Sequence, residues 1–187
     1  DQRLRDARIP PRYQRCTLDS FVTYQNEELL RAIASARRFC DAFPVVEKGL
    51  MLIGPPGIGK THIAVAVLRD VVRRTGARGM YYDTRALLKD IRSTYNPVTH
   101  TAEMDVIRPV MEAELLVLDD LGADDQVGAN HRLVRIVEGQ HVGRVILAAV
   151  MPIESARYLG ADDAYGEVRF ADAVLERRGH PLPEAHR

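Results

Sequence analysis

A glycine-rich segment of the sequence has the residue types and the spacing that bind phosphate groups. Residues 54–61 read Gly-Pro-Pro-Gly-Ile-Gly-Lys-Thr, which fits the pattern G-x-x-x-x-G-K-[ST] at every fixed position. Glycines allow successive backbone N–H groups to face phosphate oxygens. Lys60 would bring a positive charge to the β- and γ-phosphates of a nucleotide such as ATP, and Thr61 a hydroxyl to Mg²⁺. The candidate binding residues are Gly54, Pro55, Pro56, Gly57, Ile58, Gly59, Lys60, Thr61 and His62.

Two carboxylates follow a second apolar run and could complete such a site. Residues 115–118 read Leu-Leu-Val-Leu, as expected for a strand covered on both faces, and Asp119 and Asp120 come next. Carboxylates at the carboxyl end of a parallel strand lie at the sheet edge where α/β proteins bind ligands. We expect Asp119 to hold Mg²⁺, through water, and Asp120 to orient and polarise an attacking water as a general base. The predicted catalytic set is therefore Lys60, Asp119 and Asp120.

Strands and helices alternate along the sequence around these motifs. Apolar runs predict strands at 49–53, 80–83, 115–118 and 144–150. Helical spacing predicts helices at 26–43, 60–74, 85–95, 101–113 and 127–138, with a modest signal at 167–178. Asn26 is the expected N-cap of the first helix. This alternation predicts βαβ units and a parallel sheet. With the phosphate loop, it leads us to expect the three-layer α/β/α class of the P-loop NTPases.

The composition predicts a soluble globular protein with an uneven charge distribution. Residues 1–100 carry 17 basic and 10 acidic side chains, whereas residues 101–187 carry 9 and 16, so the zero net charge does not exclude a nucleic-acid partner. No apolar run approaches the length of a membrane span and the start lacks an apolar signal segment, so we expect a cytoplasmic protein with no membrane partner. Cys16 and Cys40 are expected to be reduced thiols.

One face of the helix predicted at 85–95 carries three positive charges. Arg85, Lys89 and Arg92 fall at i, i+4 and i+7, and three tyrosines flank them. Positive charge beside aromatic rings is typical of proteins that hold single-stranded DNA by its backbone and by base stacking. The flanking residues are Tyr81, Tyr82 and Tyr95. The alternative is a solvated helix face with the tyrosines partly in the core.

The motifs together resemble those of a known family. Residues 8–122 resemble the AAA+ ATPases of the DnaC/IstB type, which are bacterial helicase loaders and transposition helper ATPases. The matching stretches are IPPRY, GLMLIGPPGIGKTHIAVAVLRDVVRR, YYDTRALLKDIRSTYNP and MEAELLVLDDLGADD. The resemblance implies ATP binding and hydrolysis, assembly into an ATP-dependent homo-oligomer and binding of single-stranded DNA. It also implies a replicative DNA helicase or a transposase as the partner.

We expect the chain to have three parts, and the resemblance weakens after about residue 125. The parts are a basic N-terminal arm or linker at 1–25, an AAA+ core at 26–152 and a divergent, partly helical segment at 153–187. Family members end the fourth strand with a polar segment whose Asn senses the γ-phosphate, where this chain has Ala148-Ala149-Val150. Ala173 stands where the family places an arginine that acts at a neighbour's ATP. The arginines that could replace it are Arg169, Arg177 and Arg178.

These observations leave more than one function open. A DnaC-type helicase loader is favoured, with an IstB-like transposition ATPase as the nearest alternative. A nucleotide-binding switch with little or no hydrolysis is the alternative of a different class, because the sensor Asn and the arginine are not evident. A small-molecule kinase is disfavoured, because no lid-like arginine cluster follows the loop and the C-terminal part of the chain is acidic.

Overall fold

The computed structural model describes five strands and five α-helices in residues 2–46, 49–94, 103–120, 145–151 and 165–169. The strands are β1 (Gly49–Ile53), β2 (Gly79–Asp83), β3 (Leu115–Asp119), β4 (Val145–Met151) and β5 (Tyr165–Arg169). The helices are α1 (Gln2–Asp6), α2 (Glu27–Ala42), α3 (Lys60–Thr75), α4 (Thr84–Ser93) and α5 (Glu103–Glu112). A 3₁₀ turn at Pro11–Tyr13 follows α1. Four predicted strands and four predicted helices are therefore confirmed, with shifts of one or two residues at most of their ends.

The strands form one parallel sheet in the order β2-β3-β4-β1-β5. Parallel strands require crossover connections, and in the described part of the chain α3 connects β1 to β2 while α4 and α5 connect β2 to β3. In this order β3 and β1 are separated by one strand, so their carboxyl ends open onto the same edge of the sheet. The segments that follow these two strands are the two predicted halves of the site.

Helices pack on both faces of the sheet, which confirms the predicted three-layer α/β/α class. Leu115 and Val117 of β3 belong to one buried cluster, with α2 and α3. Leu116 and Leu118, the alternate residues, belong to a second cluster with α4 and α5. Because side chains alternate across a strand, an all-apolar strand is buried on both sides. Burial of each such Leu or Val stabilises the fold by roughly 1.5–3 kcal/mol.

The helix boundaries follow from local sequence signals. The Asn26 side chain accepts hydrogen bonds from the backbone N–H groups of Glu28 and Leu29, so the predicted N-cap of α2 is confirmed. Asp83 caps α4 in the same way, through the N–H of Ala86. At its C-terminal end α3 stops at Gly76, which has φ +71° and satisfies the carbonyl of Val72.

The N-terminal segment, predicted as a basic arm or linker at 1–25, packs on the core. Ala7, Ile9, Cys16 and Leu18 are buried within the cluster around α2 and α3. The backbone N–H of Tyr81 in β2 donates to the carbonyl of Ala7 at 2.9 Å. Ala7 and Ile9, and likewise Cys16 and Leu18, are two residues apart, but such isolated pairs are too short to indicate a strand, so the pattern did not predict their burial. The two cysteines are free, buried thiols.

The C-terminal part of the sheet also differs from the prediction. β5 pairs with β1 along its whole length, from Gly49 opposite Tyr165 to Ile53 opposite Arg169. A strand therefore occupies the start of the segment predicted as a helix at 167–178, and the sheet extends beyond residue 152. Backbone pairing with β1 outweighs a weak local helix propensity. The helix predicted at 127–138 lies outside the described residues, as do 170–187.

Candidate nucleotide-binding site

The glycine-rich loop joins the end of β1 to the first residue of α3. Gly57 and Gly59 have φ values of +80° and +101°, a backbone region that residues other than glycine rarely adopt. Gly59 is the N-cap residue of α3, and its carbonyl accepts the N–H of Ile63. The loop therefore ends in a helix N-terminus, where free N–H groups and the helix dipole favour an anion.

Lys60 is a buried cation at this loop. The residue is only 4% exposed. Its Nζ donates to the carbonyls of Gly54 and Pro55, both at 2.6 Å. Burial lowers the pKa of Lys60, while the Asp119 and Asp120 carboxylates act in the opposite direction. An ammonium group removed from water in this way is stabilised by nearby negative charge. Lys60 is thus placed to meet the phosphates of a nucleotide.

Asp119 lies beside the loop, as predicted. The Thr61 hydroxyl donates to Asp119 Oδ1 at 3.1 Å, and the Tyr81 hydroxyl donates to Oδ2 at 2.6 Å. Burial raises the pKa of Asp119, and the hydrogen bonds from Tyr81 and Thr61 oppose that shift. A hydroxyl and a carboxylate side by side are the oxygen ligands that Mg²⁺ takes beside nucleotide phosphates. The residues present therefore fit a Mg²⁺ ion at Thr61 and Asp119.

Asp120 has an unexpected partner. Its carboxylate forms an ion pair with the guanidinium of Arg85, the second residue of α4. Its backbone has φ +58°, in the left-handed region that Asp enters more readily than most residues with a side chain. The sequence placed Asp120 at the ATP site and Arg85 at the DNA face but gave no sign that the two touch. The two residues are 35 positions apart in the sequence, so no local sequence pattern indicates their contact.

The predicted DNA face is partly as expected. Arg85, Lys89 and Arg92 are all exposed on α4, whereas Leu87 and Ile91 of the same helix are buried. Two of the three flanking tyrosines are not available for base stacking, however. Tyr81 and Tyr82 are buried, at 6% and 7% exposure, because β2 is covered on both faces. Tyr95 lies outside the described residues.

His62 connects the start of α3 to the N-terminal segment. His62 Nε2 lies 3.1 Å from the carbonyl of Thr17 and 3.3 Å from the Ser20 hydroxyl. The ring of Phe21 packs edge-on against the imidazole, with centroids 5.3 Å apart. Nucleotide binding by His62 stays a prediction, and its contacts with Thr17, Ser20 and Phe21 were not indicated by the sequence. Their closeness to the loop depends on the folding of the N-terminal segment onto α3.

Phe21 approaches the loop so closely that position 59 should accept no residue larger than glycine without a clash. A Cβ atom at Gly59 would lie 2.5 Å from Phe21 Cε2, whereas a Cβ at Gly76 would meet nothing within 4 Å. Both glycines have positive φ, so alanine at either position costs roughly 1–2 kcal/mol of backbone strain. Gly59→Ala adds the clash, and we expect it to lower the free energy of unfolding more than Gly76→Ala does. Urea unfolding of both variants measures this difference, and equal losses would contradict the packing described.

The fold and the site together define a class of protein. A parallel sheet carries a phosphate loop after β1 and an acidic pair at the carboxyl end of β3, as in P-loop NTPases. The chain belongs to the IstB-like ATP binding protein family, whose model matches residues 1–183. The match thus extends well past residue 125, where the motif resemblance weakens.

Several known proteins are similar to this chain in sequence or in fold. The replicative helicase loader DnaC of Escherichia coli K12 is 23% identical over 118 residues, 63% of this chain and 47% of DnaC. The replication initiator DnaA of Cereibacter sphaeroides is 43% identical over 77 residues, 41% of this chain and 16% of DnaA. A crystal structure of the DnaC helicase loader has a TM-score of 0.71 at 24% identity, covering 86% of this chain and 99% of that one. The chain spans less than half the length of these two curated relatives.

No helix in the described part of the chain is both long and apolar enough to cross a membrane.

Proposed function

We propose that this protein binds ATP with Mg²⁺, hydrolyses it, and acts on single-stranded DNA as a loader of a replicative helicase. The observation that carries the proposal is the meeting of two distant segments at Asp119. The Thr61 hydroxyl at the start of α3 donates to the carboxylate at the end of β3, with the buried Lys60 beside them. Kinship with DnaC supports the loader role.

Each residue of the site has a distinct chemical role in this proposal. The backbone N–H groups of the loop and the Lys60 ammonium bind the phosphates, and they stabilise the charge that develops on them. Thr61 and Asp119 would hold Mg²⁺, which when bound neutralises phosphate charge. Asp120 accepts a proton from the attacking water and orients it.

The ion pair between Asp120 and Arg85 bears on when hydrolysis occurs. While the pair is intact the Asp120 carboxylate is held against the guanidinium, so it is less available to orient an attacking water. Turnover would therefore be slow while the pair is intact. An anionic partner that attracts Arg85, such as a DNA phosphate, would release Asp120. This favours DNA-stimulated hydrolysis.

The same ion pair favours a second candidate function, an ATP-dependent switch with little hydrolysis. The Ala148-Ala149-Val150 sequence of β4, which has no polar side chain, points the same way. ATP turnover measured with and without single-stranded DNA separates the two functions. Stimulation by DNA supports the ATPase, whereas tight ATP binding with no turnover in either condition supports the switch.

Single-stranded DNA binding through α4 makes a prediction about salt. Lys89→Ala and Arg92→Ala are each expected to weaken binding of an oligonucleotide regardless of its sequence. Each should reduce the slope of log K against log salt by about 0.7, because one phosphate contact is lost. Fluorescence anisotropy at several salt concentrations measures the slope. Arg38→Ala, an exposed arginine on α2, is the matched control. Unchanged slopes in both α4 variants would contradict the assignment.

The partner distinguishes a loader from a transposition helper. Tagged protein purified from its own host with ATP should bring down the replicative helicase if the protein is a loader. Recovery of a transposase instead would identify an IstB-like transposition ATPase. Light scattering with and without ATP tests the ATP-dependent homo-oligomer that the AAA+ class leads us to expect.

A further inference from the structure

Both oxygens of the Asp119 carboxylate are occupied by donors from this chain. Oδ1 accepts from the Thr61 hydroxyl and from the backbone N–H of Asp120, each at 3.1 Å. Oδ2 accepts only from Tyr81 among the described residues, at 2.6 Å. The Tyr81 bond is the shortest of the three, and both of its residues are 6% exposed. The phenol therefore binds the oxygen that the phosphate loop does not use.

Tyr81 is itself fixed from two sides. It lies opposite Val117 in the pairing of β2 with β3, two residues before Asp119 on the same face of the sheet. Its ring belongs to the buried cluster around α2 and α3. Its backbone N–H donates to the carbonyl of Ala7, so the N-terminal segment holds this point of the edge strand. A phenol anchored in this way can direct the carboxylate that it binds.

We propose that Tyr81 is the positioning residue that holds Asp119 so that Oδ1 faces Thr61 and the metal side of the ATP site. This inference rests on the proposed function, since it concerns the same Mg²⁺. In free solution a carboxylate rotates about χ2, which is a broad, low-barrier torsion. A hydrogen bond to Oδ2 restricts that rotation. The carboxylate therefore loses less conformational entropy when it binds a metal ion. Groups that orient a metal ligand in this way commonly govern metal affinity by 10- to 100-fold.

The neighbouring tyrosine provides a matched control. Tyr82 is buried to the same degree, but its side chain lies on the other face of β2. Its hydroxyl has no hydrogen-bond partner in the described part of the chain. Tyr81→Phe and Tyr82→Phe thus remove the same oxygen from adjacent buried residues, and only the first removal touches Asp119.

The test is the Mg²⁺ dependence of binding of a fluorescent ATP analogue. Tyr81→Phe is expected to raise the Mg²⁺ concentration at half-saturation about 10-fold, while affinity in EDTA stays at the wild-type value. Tyr82→Phe should leave both quantities unchanged. In an Asp119→Asn background, Tyr81→Phe should cause no further change, because the two residues act through one carboxylate.

The outcomes separate this inference from the function on which it rests. A Tyr81→Phe variant with wild-type Mg²⁺ dependence would overturn the positioning role and leave the ATP site intact. An equal shift in Tyr82→Phe, or a drop in affinity in EDTA for Tyr81→Phe, would show a general structural effect and overturn it too. If Mg²⁺ did not change the affinity of the wild-type protein for the analogue, the proposed metal site would be overturned, and the positioning role with it.

Discussion

Lys60→Ala is expected to weaken ATP binding at least about 30-fold, which corresponds to about 2 kcal/mol. Lys60 is buried at the loop, where its charge is poorly screened by water. Its removal leaves the phosphates with the backbone N–H groups of the loop and the bound Mg²⁺, without a side-chain cation. Equilibrium binding of a fluorescent ATP analogue measures the loss.

The control for this variant is another lysine. Lys89→Ala removes the same side chain from the exposed face of α4 and should leave ATP affinity in the absence of DNA unchanged. Circular dichroism verifies that both variants are folded. Wild-type affinity in a folded Lys60→Ala protein would place the nucleotide elsewhere.

Asp120→Asn is expected to abolish most ATP turnover while leaving ATP binding intact. An amide cannot accept the proton of the attacking water, and loss of a general base costs about 10²- to 10⁴-fold in rate. The ion pair with Arg85 adds a second expectation. Arg85→Ala frees Asp120 and should raise the turnover measured without DNA. Release of phosphate at saturating ATP measures both effects.

An exposed aspartate gives the matched control for the loss of turnover. Asp90→Asn changes the same chemical group on the surface of α4 and should leave turnover unchanged. If the Asp120→Asn variant turned over ATP at the wild-type rate, Asp120 would not be the general base. A fall in turnover for Arg85→Ala would show that the guanidinium assists hydrolysis and does not restrain Asp120.

The elements that position the phosphates follow directly from the sequence. The apolar run at 49–53, the loop and the helix from Lys60 are contiguous, so their order alone specifies a strand, a turn and a helix N-terminus. The apolar run before Asp119 similarly specifies a buried strand. Short-range periodicity and glycine spacing carry this information, and the structure has both elements where they were expected.

Contacts between distant segments could not be predicted in this way. Tyr81 reads as a strand residue, and only the parallel pairing of β2 with β3 brings its hydroxyl to Asp119. The pair of Arg85 and Asp120 likewise requires two elements to meet after folding. β5 has too little local signal to be recognised, because its stability comes from pairing with β1.

Calorimetric titration of the wild-type protein with ATP, first with Mg²⁺ and then in EDTA, shows whether the loop, Thr61 and Asp119 form one Mg²⁺-dependent ATP site. One site at the loop, completed by Thr61 and Asp119, predicts saturable binding of one ATP per chain. Affinity should be distinctly weaker in EDTA, because the cation links the phosphates to these two side chains. A folded protein that shows no saturable ATP binding, or binds ATP equally well without Mg²⁺, would contradict the account.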